Sequence, residues 1–390
     1  MAYISSNANR WYCAVESAYG QIPAITAANR IPAIQLTAHQ QRARSQRKDK
    51  TGSRTWPGVP DGMRRQTSFG LTTYMMDWPD TTVAPPHDPL FQAALGGAGA
   101  IWPGATANDG TDASNIKFAT PPGLAPGQAV AFNGEIRFVS AVSDDSLTVV
   151  LNAPFSTAPL ANDAIGPTAG YAVASELPSI SLFDYWDPTT SVQRVISGLA
   201  VDRFTVKING DFHGFDFKGG AQDIVDSSSF TSGQGGATDF PPEPEATAFS
   251  YSPVPGNLGQ VWLGVIPNQF FTVAQASIEM RNNINLRMNE FGSILPRAIA
   301  PGARDVTVTL ELFSQDDAAT AALYQAARQH SAISMMFQLG QTSGSLMGIY
   351  LKSVIPDVPV FDDSDNRLKW KFHDTRAQGT IDDELVVAFG

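Results

Sequence analysis

The sequence has a single cysteine, Cys13, so no disulfide can form within the chain. Charged residues make up only 16% of it, below the quarter or so that soluble domains usually carry. No apolar run approaches the roughly 20 residues that a membrane-spanning helix needs, and the first residues lack the basic start and apolar core of a secretory signal. These absences predict a protein that is made in a reducing compartment, has no membrane partner, and is held together by packing.

A persuasive constellation of reactive residues is also missing. Five histidines are spread along the chain: His39, His87, His213, His330 and His373. None forms an i, i+4 pair beside an acidic motif, and no local spacing offers the three or four ligands of a zinc site. Residues 362–365 resemble a calcium loop at three positions, but Arg367 stands where a ligand is required. The sequence therefore predicts no catalytic residue, no metal and no cofactor, and a protein that is not an enzyme.

Glycine and proline are abundant, with 33 and 27 residues, whereas helix-forming runs are few. Short alternating segments bounded by such turn residues are typical of β-strands. The chain has 390 residues, of which 43% are hydrophobic, so it is long enough for two or three domains with proper cores. This composition favours a mainly β protein with large subunit contacts.

Two segments about 240 residues apart share one layout. Each contains, in order, a Gly-Ser pair, a proline, an arginine, an alternating strand and a helix. The matched positions are Gly52 with Gly292, Pro57 with Pro296, Arg65 with Arg304, and Leu90 with Leu323. A repeat of this extent indicates two copies of one module. Duplication suits a building block of a symmetric assembly better than an enzyme.

The first copy is predicted to span residues 1–230, with one helix over residues 89–95. Residues from about 105 to 175 have no counterpart in the second copy. Within them, Asn133-Gly134 separates two alternating runs, which is a strong hairpin signal because both residues tolerate positive φ. We expect this segment to form an inserted small β-barrel or β-sandwich.

Residues 226–246 are rich in Ser, Gly and Pro, which predicts a linker that packs no core. The second copy follows over residues 247–390, with its helix at 318–329 and with Ser314 as the capping residue, three residues before Asp317. The predicted fold is thus mainly β with a minor α component. It consists of two tandem β-sandwich domains, each with one helix, and the inserted β-unit.

Charge is distributed unevenly along the chain. The first 65 residues carry ten basic and three acidic side chains, whereas the remainder carries 16 basic and 34 acidic ones. Six of these basic residues lie close together in the sequence and are candidates for a binding contact: Arg42, Arg44, Arg47, Lys48, Lys50 and Arg54. Such a stretch can bind nucleic acid or an acidic face of a neighbouring subunit, or it can be an ordinary solvated loop.

The layout resembles the tail tube (major tail) proteins of long-tailed bacteriophages, in the type whose subunit contains the tube fold twice. The resemblance lies in Gly302-Ala303-Arg304-Asp305 before an alternating strand and a helix, and in the closing segment 379–388. The β-unit around residues 127–139 is similar to the insertion that such proteins carry. The matching features are layout signals that extend over nearly the whole chain.

The resemblance implies a structural subunit of the virion, assembled in the host cytoplasm into trimeric rings with apparent sixfold symmetry. The rings would stack around a channel for DNA, which passes without specific binding. Partners would be other copies of the chain and the tail terminator, tape measure and distal tail proteins. Because Lys and Arg would bind phosphates tightly, we expect the acidic excess to face the channel or the ring interfaces. The six basic residues would then form a loop that contacts the adjacent ring.

Two alternatives stay open at this point. A distal-tail or tube-end ring protein would share the fold without polymerising. A carbohydrate-binding protein of a tail tip would use exposed aromatic residues to stack on sugars, and the candidates are Trp102, Tyr171, Tyr185 and Trp186. The same residues are common as core and interface anchors.

Overall fold

The computed structural model describes residues 3–43, 50, 52–55, 58, 62–245 and 249–390. Strands make up 44% and helices 7% of it, which confirms the mainly β prediction. The first elements are β1 (Asn9–Val15), β2 (Ala33–Arg42), β3 (Arg65–Tyr74) and α1 (Asp88–Leu95). Eight short strands follow: β4 (Ala100–Trp102), β5 (Ala105–Thr106), β6 (Asn115–Lys117), β7 (Ala129–Phe132), β8 (Glu135–Val142), β9 (Thr148–Leu151), β10 (Ala164–Ile165) and β11 (Thr168–Ala172).

The chain then returns to long strands. These are β12 (Ile180–Trp186), β13 (Arg194–Ile208), β14 (Gly214–Ala221) and β15 (Asp223–Asp226). The second half contains β16 (Gly259–Gly264), β17 (Asn268–Gln269), β18 (Val273–Arg281), β19 (Asn285–Leu286), β20 (Ile299–Ala300), β21 (Asp305–Phe313), α2 (Ala318–Gln329), β22 (Ile333–Leu339), β23 (Met347–Ile355), β24 (Val360–Asp362), β25 (Lys369–Gln378) and β26 (Val386–Phe389). Neither helix in the described part of the chain is long and apolar enough to cross a membrane.

The two halves have the same strand order. Hydrogen-bonded neighbours follow one another as β2, β3, β14, β13, β12 and β1 in the first half. The second half has the order β18, β21, β25, β23, β22 and β16. β15 pairs with β13 as β26 pairs with β23. A register shift at Ile180 and Leu182 even recurs at Ile333 and Met335.

Strand β13 is long enough to take part in two separate sets of strand pairings in the first half. Its N-terminal part pairs with β12 and β15, and its C-terminal part pairs with β14. Helix α1 packs on this strand and on β1, and its Phe91 lies within 5.4 Å of the rings of Phe204, Phe215 and Phe389. Phe389 comes from the second half, and one hydrophobic core runs through both halves. The two copies therefore fold against each other and share one core.

The insertion forms a four-stranded sheet in the order β6, β9, β8, β7. Asn133 and Gly134 have φ values of 48° and 73°, the positive values that a two-residue turn between β7 and β8 requires. The sheet encloses its own core, with Ile116, Val130 and Val149 fully buried. The flanking strands β4 and β11 lie outside this unit, because β11 pairs with β4 and with β26 of the main sheet.

The residues at the helix ends are of types that cap the free backbone N–H and C=O groups there. Helix α1 has Pro89 in its first turn and ends at Gly96, whose φ of 100° is left-handed. Helix α2 is capped by Asp317, whose side chain accepts a hydrogen bond of 2.7 Å from the backbone N–H of Thr320. The expectation that Ser314 is the cap is wrong, because its backbone N–H donates to Leu368 and holds it at the end of the sheet.

Replacement of Asp317 by alanine removes this cap and should lower the free energy of unfolding by about 1 kcal/mol. The loss arises because the N–H of Thr320 keeps no acceptor from its own chain. Urea unfolding measures the effect, with Ser314→Ala as the matched control that leaves stability within about 0.5 kcal/mol. An equal loss in both variants would contradict the assignment of the cap to Asp317.

Candidate assembly surfaces

Among the residues that the structure describes, no group of three or more His, Cys, Asp or Glu side chains is placed to hold a metal ion. His39, His330 and His373 are exposed on separate elements, whereas His87 and His213 are buried. The single thiol, Cys13, is buried, which raises its pKa. The surfaces that stand out are strand edges, one open sheet face and one end of the sheet.

His87 lies in the core between Phe91 and Phe215, edge-on to both rings. Its Nε2 donates a hydrogen bond of 2.9 Å to the carbonyl of Tyr74, and its Nδ1 has no partner in the described part of the chain. Burial lowers the pKa of His87 from 6.5 to about 4. The imidazole is therefore neutral at physiological pH and structural in role.

Acid should destabilise the protein through His87. The unfolded chain takes up this proton near pH 6.5, whereas the folded chain holds it off until about pH 4. The free energy of unfolding that the neutral His87 contributes is complete above pH 6.5, and about 3 kcal/mol of it is lost as pH falls to 4. Urea titrations at pH 7, 5.5 and 4.5 measure it as the difference between the native protein and His87→Gln. The exposed-site variant His39→Gln should follow the native protein, and an unaltered pH dependence in His87→Gln would contradict the prediction.

The two halves are joined by a strand junction. Residues Arg203 to Ile208 of β13 pair with Arg281 to Ala276 of β18, antiparallel and without a register shift. On the core side, Phe204 faces Met280 and Val206 faces Ile278, and all four are buried. This junction makes one continuous sheet of eight strands, in the order β2, β3, β14, β13, β18, β21, β25 and β24.

Both outer edges of this eight-stranded sheet are open in the described part of the chain. β2 pairs only with β3, and β24 pairs only with β25. Apolar residues are exposed on both edges: Val360 is 57% and Phe361 53% exposed on β24, and Ile34 is exposed on β2. The Phe361 ring stacks on Trp370 with 5.4 Å between centroids and 4° between planes. Unpaired edges of this kind are templates for pairing with another chain.

One face of the eight-stranded sheet packs on the core, and the other is open and polar. The alternation along β21 shows this, since Val306, Val308, Leu310 and Leu312 are buried and the residues between them are not. The open face carries many Thr, Ser, Gln and Gly residues. Among the side chains that the structure describes, strand register also places on it seven basic residues (Arg203, Lys207, Lys218, Arg281, Lys369, Lys371 and Arg376) and five acidic ones (Asp216, Glu279, Asp305, Glu311 and Asp362).

Most charges on the open face are paired. Lys207 lies 2.6 Å from Asp216, Lys371 lies 2.7 Å from Asp362, and Arg376 donates to Asp305 at 3.0 Å. Burial raises the pKa of Asp216, but its hydrogen bonds with Lys207 and Thr72 outweigh this and lower it. The carboxylate therefore stays charged at neutral pH. The acidic excess expected from the sequence does not lie on this face.

Two connecting loops, residues 43–64 from β2 to β3 and residues 282–304 from β18 to β21, start from the same end of the sheet. At this end the N–H of Arg65, the first residue of β3, donates to the Ile294 carbonyl at 2.8 Å. Phe291 stands at the tip of the second loop, fully exposed at 101%. At the opposite end, Ile208, Phe270 and Val273 contribute to a cavity of about 480 Å³ that Phe271 borders.

Arg42 is the last residue of β2, and the other five predicted basic contact residues follow it in the sequence between β2 and β3. Arg42, Lys50 and Arg54 are exposed. Arg44, Arg47 and Lys48 lie outside the described residues. The role predicted for these six residues stays a prediction.

The insertion is fastened to the second half by a buried arginine. The Arg137 side chain is 0% exposed and forms a 3.0 Å ion pair with Glu135. It also donates to Gln338 at 3.0 Å and to Gln260 at 2.8 Å. Around it, Ile136 and Phe138 of the insertion pack on Trp262, Met336 and Leu346 of the second half. The burial of Arg137 could not be predicted from the sequence, since Arg137 and Glu135 stand two residues apart in an alternating strand, as paired surface charges often do.

Residues 226–245 cover the outer face of β1 and β12 in the first half. Phe240 packs on a cluster that includes Tyr12 and Tyr185, and the Tyr185 hydroxyl donates to the Pro241 carbonyl at 3.0 Å. Glu243 accepts from Arg10 at 2.8 Å and from the Tyr12 hydroxyl at 3.1 Å. The expectation that this segment packs no core is wrong, because its few apolar residues cover the outer face of β1 and β12.

The aromatic residues proposed for sugar stacking are mostly internal. Trp102, Tyr171 and Tyr185 are buried, and Trp186 is partly buried. Trp102 donates to the Pro122 carbonyl at 2.9 Å, and the Tyr171 hydroxyl donates to Asp88 at 2.8 Å. The structure does not bring these residues together on a surface that a sugar could reach.

No protein-family model matches the sequence, and no curated protein matches it significantly. The candidate surfaces are therefore defined by geometry alone. Sequence reasoning missed Phe361 and Phe291 among their residues. Phe361 could have been found by aligning the repeats, since it stands 155 positions after Val206, as Phe372 stands 155 positions after Phe217.

Proposed function

We propose that the chain is a structural subunit of a phage tail tube, which joins edge to edge with further copies into rings that stack around a channel for DNA. The supporting observation is the junction between β13 and β18. It joins two copies of one module, and the same chain leaves the two equivalent edges, on β2 and β24, open. Repeating the junction between chains continues the sheet in both directions.

A closed ring removes every open edge of this sheet, which is a strong reason for closure. Each chain contributes eight strands, so the trimer that the resemblance implies has 24. Strands about 4.8 Å apart and tilted by about 40° then give a backbone diameter of about 48 Å. Side chains narrow the bore to about 35–40 Å, which is wide enough for duplex DNA. Two modules per chain give the ring apparent sixfold symmetry.

The open polar face of the sheet would line this channel. Most of its basic side chains are paired with carboxylates, which weakens their attraction for phosphates, so DNA would pass without being held. By register this lining would carry a small excess of basic over acidic side chains, whereas composition predicts an acidic channel. The acidic residues outside this face remain available for contacts with the basic loop of a neighbouring ring and with the tail terminator, tape measure and distal tail proteins.

Stacking would use the two ends of the sheet. One end presents Phe291 and the basic loop, and the other presents Phe271 and the cavity beside it. Contacts between unlike ends do not close on themselves, so they generate an open filament. Such a tube belongs to the virion and is assembled in the host cytoplasm.

Negative-stain electron microscopy and light scattering of the purified chain test the proposal. We expect rings and hollow tubes in the native protein. Phe361→Asp, on the open edge, should remain monomeric, whereas Leu160→Asp, at an exposed apolar position of the insertion, should assemble normally. Rings that never stack would favour the distal-tail alternative. A native chain that stays monomeric at high concentration would refute the proposal.

A further inference from the structure

We infer that the internal junction specifies the residue register of the contact between copies, which brings Phe361 of one chain against Ala38 of the next. The inference rests on the proposed ring. It requires that β2 and β18 occupy equivalent places, and that β24 takes the place of the C-terminal part of β13. The strand registers within each half establish both equivalences.

The first equivalence comes from the neighbours of β2 and β18. Leu36 in β2 faces Leu71 in β3, and Ala276 in β18 faces Leu310 in β21. Leu71 and Leu310 are themselves matched by the repeat, at the spacing of Arg65 and Arg304. Two residues further along each strand, Ala38 in β2 therefore corresponds to Ile278 in β18.

The second equivalence comes from β14 and β25. Phe217 faces Leu71 as Phe372 faces Leu310, so Phe215 corresponds to Trp370, two residues earlier. Phe215 faces Val206 of β13, and Trp370 faces Phe361 of β24. Phe361 therefore corresponds to Val206.

Val206 faces Ile278 in the internal junction. The same pairing between chains places Phe361 against Ala38. A large and a small side chain then take the space of two medium ones, which is the kind of exchange that packed cores accept. Val206 is 1% exposed at the internal junction, whereas Phe361 is half exposed in the isolated chain. Addition of β2 from another copy would cover it.

The second junction is shorter than the first. Pro356 and Pro359 interrupt the second-half counterpart of β13, so β24 has only three residues, Val360 to Asp362. Proline removes a backbone donor and is a common means of limiting pairing at a sheet edge. The register also places Val360 opposite His39 and Asp362 opposite Thr37, on the channel side. The polar members of these pairs, Thr37, His39 and Asp362, continue the polar face from one chain to the next.

Cysteine cross-linking tests the register directly, because Cys13 is buried and gives little background. The double variant Ala38→Cys with Phe361→Cys should form covalent dimers and trimers on mild oxidation. The matched control is Ala38→Cys with Val360→Cys, which differs by one residue and points the second thiol to the other face. We expect at least about tenfold more cross-linked chain in the first variant, since a disulfide requires two Cβ atoms that point toward each other, and successive residues of a strand point to opposite faces.

An equimolar mixture of the single variants Ala38→Cys and Phe361→Cys provides the second measurement. It should link one chain of each kind, because the two positions lie on opposite edges of one sheet and meet only between copies. Rings that assemble, as shown by light scattering, with no more cross-linking than in the control would overturn this register and leave the ring proposal standing. Chains of native sequence that never associate would overturn both.

Discussion

Replacement of Arg137 by alanine should lower the free energy of unfolding by about 3–5 kcal/mol. The guanidinium is fully enclosed, with Glu135, Gln338 and Gln260 as polar partners and the rings of Phe155 and Trp262 at 5.4 and 5.2 Å. Burial raises the pKa of Glu135, but the charge of Arg137 and hydrogen bonds from Ser156 outweigh this and lower it. Without Arg137, a buried carboxylate loses its counter-charge. Urea unfolding followed by tryptophan fluorescence measures the loss.

The matched control is Lys117→Ala, which removes an exposed basic side chain from the same insertion and should change stability by less than about 0.5 kcal/mol. The double variant Arg137→Met with Glu135→Gln should recover much of the loss, because neither charge then remains buried. A single variant as stable as the control would show that the ion pair contributes nothing to holding the insertion in place.

Replacement of Phe291 by serine should abolish long tubes while rings persist. Full burial of a phenylalanine is worth about 1.5–3 kcal/mol. With three copies in each ring, the protein concentration needed for tube growth should rise by a factor of at least about 10³. Electron microscopy measures tube length, and sedimentation measures the polymerised fraction over a concentration series.

Two controls accompany the Phe291 variant. Leu160→Ser removes an exposed apolar side chain from the insertion and should leave tube length unchanged. The melting temperature of the Phe291→Ser monomer should match that of the native chain, since the native side chain is fully exposed. Tubes of normal length from Phe291→Ser would exclude this loop tip from the stacking contact. Charge reversal of Arg42, Arg44 and Arg47 tests the basic loop in the same assay, where undiminished tube growth would reject its predicted role.

Local patterns in the sequence predicted several elements at or near the residue ranges that the structure has. The helix of the second copy was predicted over residues 318–329, which are the bounds of α2 in the structure. Asn133-Gly134 predicted the hairpin of β7 and β8, because few other residues accept two successive positive φ values. The cap of α2 was misassigned because Ser314 and Asp317 both have capping side chains. A backbone contact with Leu368 decides between them.

Contacts between residues that lie far apart in the sequence could not be predicted from local patterns. Residues 226–246 have the composition of a linker, yet Phe240 and Glu243 are held by Tyr12, Tyr185 and Arg10. Arg137 has the sequence surroundings of a surface residue but is buried, since the insertion folds back on Trp262. The count of acidic residues does not say which face of a strand each side chain occupies, and only the pairing registers place Asp216, Glu279 and Asp305 on the open face.

The sequence by itself determined the mainly β class, the repeated layout and the lack of reactive motifs, because alternation, turn residues and residue types are local properties. Tertiary structure decided that β13 pairs with β18, that β2 and β24 keep open edges, and which charges share the open face. A strand's alternation is set within a few residues, whereas its neighbours are chosen by packing across hundreds of residues. Partners and surfaces therefore emerge only once the chain has folded.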